Sequence, residues 1–584
     1  LIRLILDKAS ESFEQDIREL IQEFYPGEDF EIRTSLGVHF TNTTQEEKNA
    51  LKQAKATGEV IEVNKKSTKN RARMAGEITP TGVQDDKITI TFEVIASEMP
   101  LTGVRKDDKS VIKAELYDSL VAMTGKELPW GDLTGIRPVS LVSPMIEAAC
   151  LHSADGRTIT DEDISTIKKH LTDEYCIRGE KLDLMTDIAV REHHILDGIY
   201  QQTGFTYKDG WSLYIGIPFC PTRCLYCSFL SNTISAWQSR LAEYMSNLRE
   251  EIRYTVTELC VRQHKPLQTI YIGGGTPTAL DEHWLQILMD IVHEECGTAN
   301  VSILSDSADA TFDWQHTVTG MPGIVEFTVE AGRPDSITRE KLEILKRSGV
   351  DRISVNPQTF NQKTLDIIGR KHSVESVIEK YLLARDVGFD NINMDIILGL
   401  PGERLPEVTH TLCEIAKYRP DSLTVHSLAI KRAARLTLER DFWAGVYRAG
   451  DEHEIIQESK TGDNDQDFRY PEITRMMMAS AYTADILDLK PYYLYRQKNM
   501  AGNLENVGYC EEGKECLYNI LMMEEKHTVV GCGAGTSTKI VLSSKDGDPT
   551  HKRVERCDNG KSIPDYLDNI DKFLDRKIQL FSLF

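Results

Sequence analysis

Cys220, Cys224 and Cys227 stand at C-x3-C-x2-C spacing in Tyr214-Ile-Gly-Ile-Pro-Phe-Cys-Pro-Thr-Arg-Cys-Leu-Tyr-Cys227. Three thiolates so spaced can wrap one face of a cubane [4Fe–4S] cluster. Its fourth iron is then left without a protein ligand and free to bind a small molecule. Structural zinc competes for such a motif, but it takes four protein ligands, and no fourth Cys or His lies close by in sequence. The cluster is therefore the expectation. The other nine of the twelve cysteines are scattered and read as small buried hydrophobes.

A second motif, Tyr271-Ile-Gly273-Gly274-Gly275-Thr276-Pro277, brings consecutive glycines and a hydroxyl. Such a loop lets backbone approach a ligand closely, and an amino-acid-like ligand on the open iron needs donors and acceptors for its amine and carboxylate. Glu330, Gln358 and Asp395 each fall in or at the end of an apolar run, where a polar side chain is costly unless it meets a partner. Arg370 can pair with a carboxylate. Lys431, Arg432 and Arg435, and separately Arg496 and Lys498 beside Tyr492, Tyr493 and Tyr495, are either solvated charge or anchors for an acidic ligand. For Trp130 and the pair His193–His194, core packing is the default.

These residues need a scaffold. Strand patterns are expected at Trp211–Ile217, Gln268–Ile272, Ile324–Glu330, Asp351–Val355, Asn391–Leu398 and Ser422–Leu428, with helical patterns at roughly 235–258, 282–295, 337–348, 374–387 and 405–418 between them. Pro406 suits a first helical turn and Gly349 a helix stop. Six alternations of this kind make an α/β fold with a parallel sheet, open or curled into a partial barrel, with ligands at the carboxyl ends of its strands. The cysteine loop, the glycine motif, Glu330, Gln358 and Asp395 fall in, at or just past such ends.

With 584 residues the chain is too long for one core. Three regions are expected: an α+β amino-terminal domain over 1–205, the barrel over 206–435, and a mostly helical carboxyl-terminal region over 436–584 covering the site. In the first, Ser10–Phe24, 110–124 and 161–200 read as helices and Lys87–Val94 as a strand, while Leu128–Pro138 resists assignment. The stretches 297–323 and 450–467 read as surface insertions. A net charge of −23 disfavours nucleic acid or an anionic membrane as partner. No run is long and apolar enough to span a bilayer, and no visible segment reads as a signal peptide; with the cysteine usage, this makes a reduced cytoplasmic protein the expectation.

The set YIGIPFCPTRCLYC, IGGGTP, EFTVEAGRPD, ISVNPQTF…GRKH and MDIILGLPGE resembles the oxygen-independent coproporphyrinogen III oxidase family of radical S-adenosylmethionine (SAM) proteins. LPWGDLTGIRP and YRQKNMAGNLENVGY are similar to its HemZ-type coproporphyrinogen dehydrogenases. The resemblance implies a partial (β/α)6 barrel, a cluster on Cys220, Cys224 and Cys227, and SAM contacts from Tyr214, the backbone at Tyr226, Gly274 and Glu330. It implies a second SAM site lined by Gly275, Thr276, Gln358, Arg370, Asp395 and Ala429. It further implies a reductant such as flavodoxin or ferredoxin, and oxidative decarboxylation of two coproporphyrinogen III propionates to vinyl groups, giving protoporphyrinogen IX. A haem chaperone without decarboxylase activity, or a radical SAM enzyme acting on haem, are the alternatives within this resemblance. The sequence departs from the family at Gly216, where many relatives carry His before Ile-Pro-Phe-Cys, at Ser228-Phe229, where a fourth Cys is usual, and at Leu428, where a Tyr is usual. Gly502–Tyr509 stands in place of the chaperones' His-Asn…Tyr-Trp motif.

Overall fold

The computed structural model describes residues 2–25, 28, 30–35, 37–40, 90–135, 137–153, 158–227, 232–306, 319–428, 472–497, 504–543 and 552–584. They divide into two compact units, Leu1–Gly135 with Thr160–Asp183, and Ile136–Ile159 with Leu184–Phe584. This differs from a boundary at 205: the chain from Leu184 onward belongs with the barrel, and the strands beyond 435 pair within the barrel's own sheet.

The first unit is built on β1 (Ile2–Leu6), β2 (Phe30–Thr34), β3 (Gly37–Phe40) and β4 (Ile90–Val94) in the order β3-β2-β1-β4, with β1 parallel to both neighbours. The helix Glu14–Phe24 buries Ile17, Leu20, Ile21 and Phe24, one face at helical spacing, in a core with Leu4, Phe30 and Phe92. The helical stretch expected over 161–200 is two helices, Asp161–Tyr175 and Gly179–Thr203, because Cys176 takes a left-handed conformation (φ 54°) that ends the first. Trp130, in the turn-rich segment, is 1% exposed and acts as core.

The second unit carries the expected parallel strands, β5 (Trp211–Ile217), β8 (Leu267–Gly274), β9 (Glu326–Gly332), β10 (Arg352–Val355), β11 (Ile392–Leu398) and β12 (Ser422–Ser427), adjacent in that order. The short pair β6 (Phe219–Cys220) and β7 (Asn232–Thr233) lies in the cysteine loop. Helices Leu241–Val256, Glu282–Cys296, Arg339–Arg347, Val374–Val387 and Leu405–Tyr418 connect the strands. Asp281, Thr338 and Ser373 cap three of them by accepting from backbone N–H groups of the first turn. The carboxyl-terminal region supplies helices and also β13 (Lys490–Tyr495), β14 (Asn506–Cys510), β15 (Thr528–Cys532), β16 (Ser537–Ser543) and β17 (Lys552–Asp558). These extend the sheet at both edges to β13-β14-β12-β11-β10-β9-β8-β5-β15-β16-β17.

Alternation along the parallel strands sorts the side chains. Leu213, Ile215, Ile270, Ile272, Phe327, Val329, Ile353, Val355, Met394, Ile396, Leu423 and Val425 are fully buried hydrophobes. The intervening positions, in register across the ladders, are polar or aromatic: Tyr214 beside Tyr271, Tyr271 beside Thr328, Thr328 beside Arg352, Ser354 beside Asn393, and Asp395 beside Thr424. Of the stretch 297–323, residues 307–318 lie outside the described residues, while its two flanks are tied to the start of β8. Asn300, 1% exposed, bonds the backbone of Leu267 in both directions and the carbonyl of Pro322, sealing the start of β8. Residues 450–467 lie outside the described residues. Among the described residues no helix is long and apolar enough to cross a membrane.

Candidate functional site

The cysteine loop leaves β5 and is held from three later strand ends. The Gly275 and Thr276 amides donate to the carbonyls of Ile217 and Phe219, both at 2.7 Å. Gly274 needs its positive φ of 107°, and a Cβ on Gly275 would sit 2.5 Å from the Phe219 carbonyl oxygen, so the glycines permit this approach. Beyond β9, Arg333 Nη1 donates to the Thr222 carbonyl at 3.0 Å and to Cys224 Sγ at 3.4 Å. Beyond β10, the Ile368 carbonyl accepts from the Leu225 amide at 3.0 Å. Arg370 Nη1 donates to the Asn356 carbonyl at 2.9 Å and its Nη2 to the Tyr226 hydroxyl at 3.2 Å.

Cys220 and Cys224 are buried and Cys227 half-buried. Cys220 Sγ lies 3.5 Å from the Thr276 hydroxyl. Burial pushes the Cys220 thiol up to about 11, with Thr276 partly offsetting it, so a thiolate there calls for a cation to displace the proton. Soft donors, a buried loop and adjacent guanidinium charge fit an iron–sulfur cluster. Among the described residues no three His, Cys, Asp or Glu converge as ligands of one ion. Thiolates on separate irons of a cubane have no need to do so.

Glu330 accepts a hydrogen bond from the Tyr271 hydroxyl at 2.7 Å. Burial lifts its carboxyl to about 7, Asp395 adds to the rise, and Tyr271 and the Gly274 amide oppose it. Tyr214, Tyr271 and Tyr518 stack beside it, at 4.5 Å between Tyr271 and Tyr518 and 6.0 Å for the other two pairs. Asp395 accepts from the amides of Asn356 and Asn393, both at 2.6 Å, with His426 Nε2 at 3.9 Å. Burial alone would raise its pKa, but His426 and Asn393 hold it below the ordinary range. Gln358 adopts φ 64° while its backbone exchanges bonds with Asp395 and Ile397. Gln358 Oε1, Arg370 Nε and both ring nitrogens of His372 are buried without a hydrogen-bond partner. Such groups in one neighbourhood are what a polar ligand would satisfy.

The structure thus brings together Tyr214, Cys220, Cys224, Tyr226, Cys227, Gly274, Gly275, Thr276, Glu330, Gln358, Arg370 and Asp395. Ala429, Lys431, Arg432, Arg435 and Lys498, like Ser228 and Phe229, lie outside the described residues. Arg496 is 6% exposed and so is not a solvated surface charge. His193 and His194 pair ring to ring at 5.9 Å on the helix Gly179–Thr203. Sequence reasoning missed Tyr271, Arg333, Asn356 and His372, all of them inside or beside quoted motifs. It also missed Tyr518, which no local pattern marks. Leu428 packs with Leu225, Leu365, Ile368, Ile397 and Leu400. Gly216 has a physical reason: a Cβ there would lie 2.5 Å from Thr536 Cγ2. The turn between β15 and β16 occupies the space a side chain would need.

The model of the radical SAM superfamily matches residues 214–412. Over 520 residues the chain is 34% identical to the oxygen-independent coproporphyrinogen-III oxidase-like protein HemZ of Bacillus subtilis, covering 89% of each. It is 36% identical over 220 residues to the heme chaperone HemW of Bacillus subtilis, covering 38% of this chain and 51% of that protein. Among solved structures, coproporphyrinogen III oxidase (HemN) from Escherichia coli aligns at TM-score 0.42 and 18% identity, over 65% of this chain and 72% of that one. Similarity that runs nearly end to end in both chains shows that this protein belongs, within the radical SAM superfamily, to the oxygen-independent coproporphyrinogen-III oxidase-like family, with a [4Fe–4S] cluster and SAM as its cofactors.

Proposed function

We propose that the protein carries out oxidative decarboxylation of coproporphyrinogen III propionates to vinyl groups, giving protoporphyrinogen IX. The observation that carries this reading is the set of polar groups gathered at the carboxyl ends of β5 to β11 around one cysteine loop, with Gln358 Oε1 and Arg370 Nε left for a ligand. Cys220, Cys224 and Cys227 would hold the cluster. When bound, the cluster and SAM would supply the radical chemistry that removes a hydrogen atom from a propionate β-carbon, and loss of CO2 together with transfer of one electron to a one-electron acceptor would leave the vinyl group. Glu330, with Tyr271 fixing one oxygen, presents a carboxylate suited to the SAM amine. Gly274 and Gly275 bring backbone within reach of its carboxylate. Gln358, Arg370 and Asp395 would line the adjoining second site, with Asn356 and His426 holding Asp395 in place. The chain's net charge of −23 leaves an acidic substrate dependent on local cations. Buried Arg496 at the end of β13 supports such an anchor, and Tyr518 stacked on Tyr271 supports a covering role for the region 436–584. A one-electron donor of the flavodoxin or ferredoxin class would complete the system in the cytoplasm.

The test is anaerobic reconstitution with iron and sulfide, followed by dithionite, SAM and coproporphyrinogen III. Formation of divinyl product is expected. SAM cleavage without vinyl product, or tight haem binding alone, would overturn the proposal and favour the chaperone role that the name of the HemW relative describes. In the same preparation Cys224→Ala should abolish the brown absorbance near about 400 nm expected of thiolate–iron charge transfer; full iron content in that variant would refute the ligand assignment.

A further inference from the structure

Arg333 follows β9, is 3% exposed and divides its guanidinium between two kinds of acceptor. Nε and Nη2 grip the two oxygens of Asp335 at 2.9 and 2.7 Å. Nη1 donates to the Thr222 carbonyl at 3.0 Å and to Cys224 Sγ at 3.4 Å. A planar fork held at two nitrogens by one carboxylate has its remaining nitrogen aimed. Here it is aimed at a sulfur. The ion pair is thereby oriented with its positive end on Cys224 and its negative end away.

We propose that Arg333 is a positioning residue that raises the reduction potential of the cluster through Cys224, and that Asp335 tempers the rise; this rests on the assignment of Cys224 as a cluster ligand. Reduction adds one negative charge to the cluster. A hydrogen bond to a ligating sulfur and a fixed cation beside it favour the reduced form over the oxidised one. Burial leaves little water to screen the charge. The two members of the pair then act with opposite sign, which a clamp that merely shapes the loop does not do. The cluster so tuned accepts its electron from a milder donor than it would with a neutral residue at 333.

The test is a redox titration of the reconstituted full-length chain followed by electron paramagnetic resonance. For Arg333→Gln the midpoint is expected to fall, with a reduced-to-oxidised ratio about tenfold lower at a fixed applied potential, or about 59 mV for a one-electron couple. For Asp335→Asn it is expected to rise. Shifts of the same sign in both variants, or unmoved potentials with full iron content, overturn the proposal. Should Arg333→Gln retain no iron, Asp335→Asn decides alone: a rise supports the proposal, and no change or a fall overturns it. Iron and sulfide content of the unaltered chain is a separate readout. If that chain takes up no four-iron cluster, the ligand assignment itself is wrong and the proposal falls with it.

Discussion

Glu330 is buried among Tyr271, Gly274 and Asp395, and its carboxyl sits at about 7 instead of 4.5. The folded state therefore keeps a proton that the unfolded chain releases, so this group's contribution to stability falls as pH rises from about 4.5 to 7. The full effect is at most about 3–4 kcal/mol. Glu330→Gln should flatten that decline, gaining stability over the unaltered chain at pH 8 but not at pH 4, as read from urea midpoints, while SAM cleavage falls steeply. An unchanged difference between the two pH values would show that Glu330 is not the group responsible. The same ionisation predicts that SAM affinity weakens as pH drops below about 7, because the protonated carboxyl no longer attracts an ammonium group.

Between elements, the critical approach is that of β5 to the turn after β15. Tyr244, on the helix Leu241–Val256, donates to the Gly216 carbonyl at 2.6 Å and accepts from the Ala534 amide at 3.1 Å, so one hydroxyl ties the two strand ends together. Gly216→Ala places its methyl against Thr536 Cγ2 and should destabilise by about 1–3 kcal/mol. Thr536→Ser in the same chain removes that methyl but keeps the hydroxyl, which donates to the Gly533 carbonyl and accepts from Asn559. The pair should therefore recover most of the loss in thermal denaturation. Absence of recovery would mean the strain lies elsewhere. Since Gly216 immediately precedes Ile217-Pro-Phe-Cys220, the single variant should also retain less iron after desalting.

Within the barrel-bearing unit as a whole, the carboxyl-terminal helix Ile570–Phe581 is locked to the core by an ion pair with no solvent exposure, Lys577 Nζ to Glu251 Oε1 at 2.9 Å. Lys577 also donates to the Gly531 carbonyl at 2.8 Å. Glu251 accepts from the Gly533 amide and the Tyr566 hydroxyl, each at 2.8 Å, and from Asn559 at 2.7 Å. Burial opposes the charge on Lys577, yet Cys532 and Glu251 carry its pKa above the ordinary value. Lys577→Met leaves the carboxylate without its cation and should destabilise by about 3–5 kcal/mol, measurable as a lower midpoint of unfolding. Because Glu251 answers three further donors, replacing it as well would not restore stability.

Much of the site was legible from residue type and order. The cysteine spacing, the glycine run and the polar residues closing apolar runs mark ligand chemistry locally, and the six strand–helix alternations force those ends to one side of a parallel sheet. The sequence alone therefore determined the barrel, the cluster ligands expected on it and the family. It could not rank Arg333 above other arginines, since its value comes from the sulfur of Cys224, more than a hundred residues earlier. The glycine at 216 was visible as a departure, but its cause, the Thr536 methyl, is set by β15 pairing in parallel beside β5. Tyr518 and Lys577 carry no local signature at all. Spacing along the chain encodes which groups one loop can offer; only the packing of distant strands and helices decides which charges and rings surround them, because burial and hydrogen-bond partners are properties of the tertiary neighbourhood.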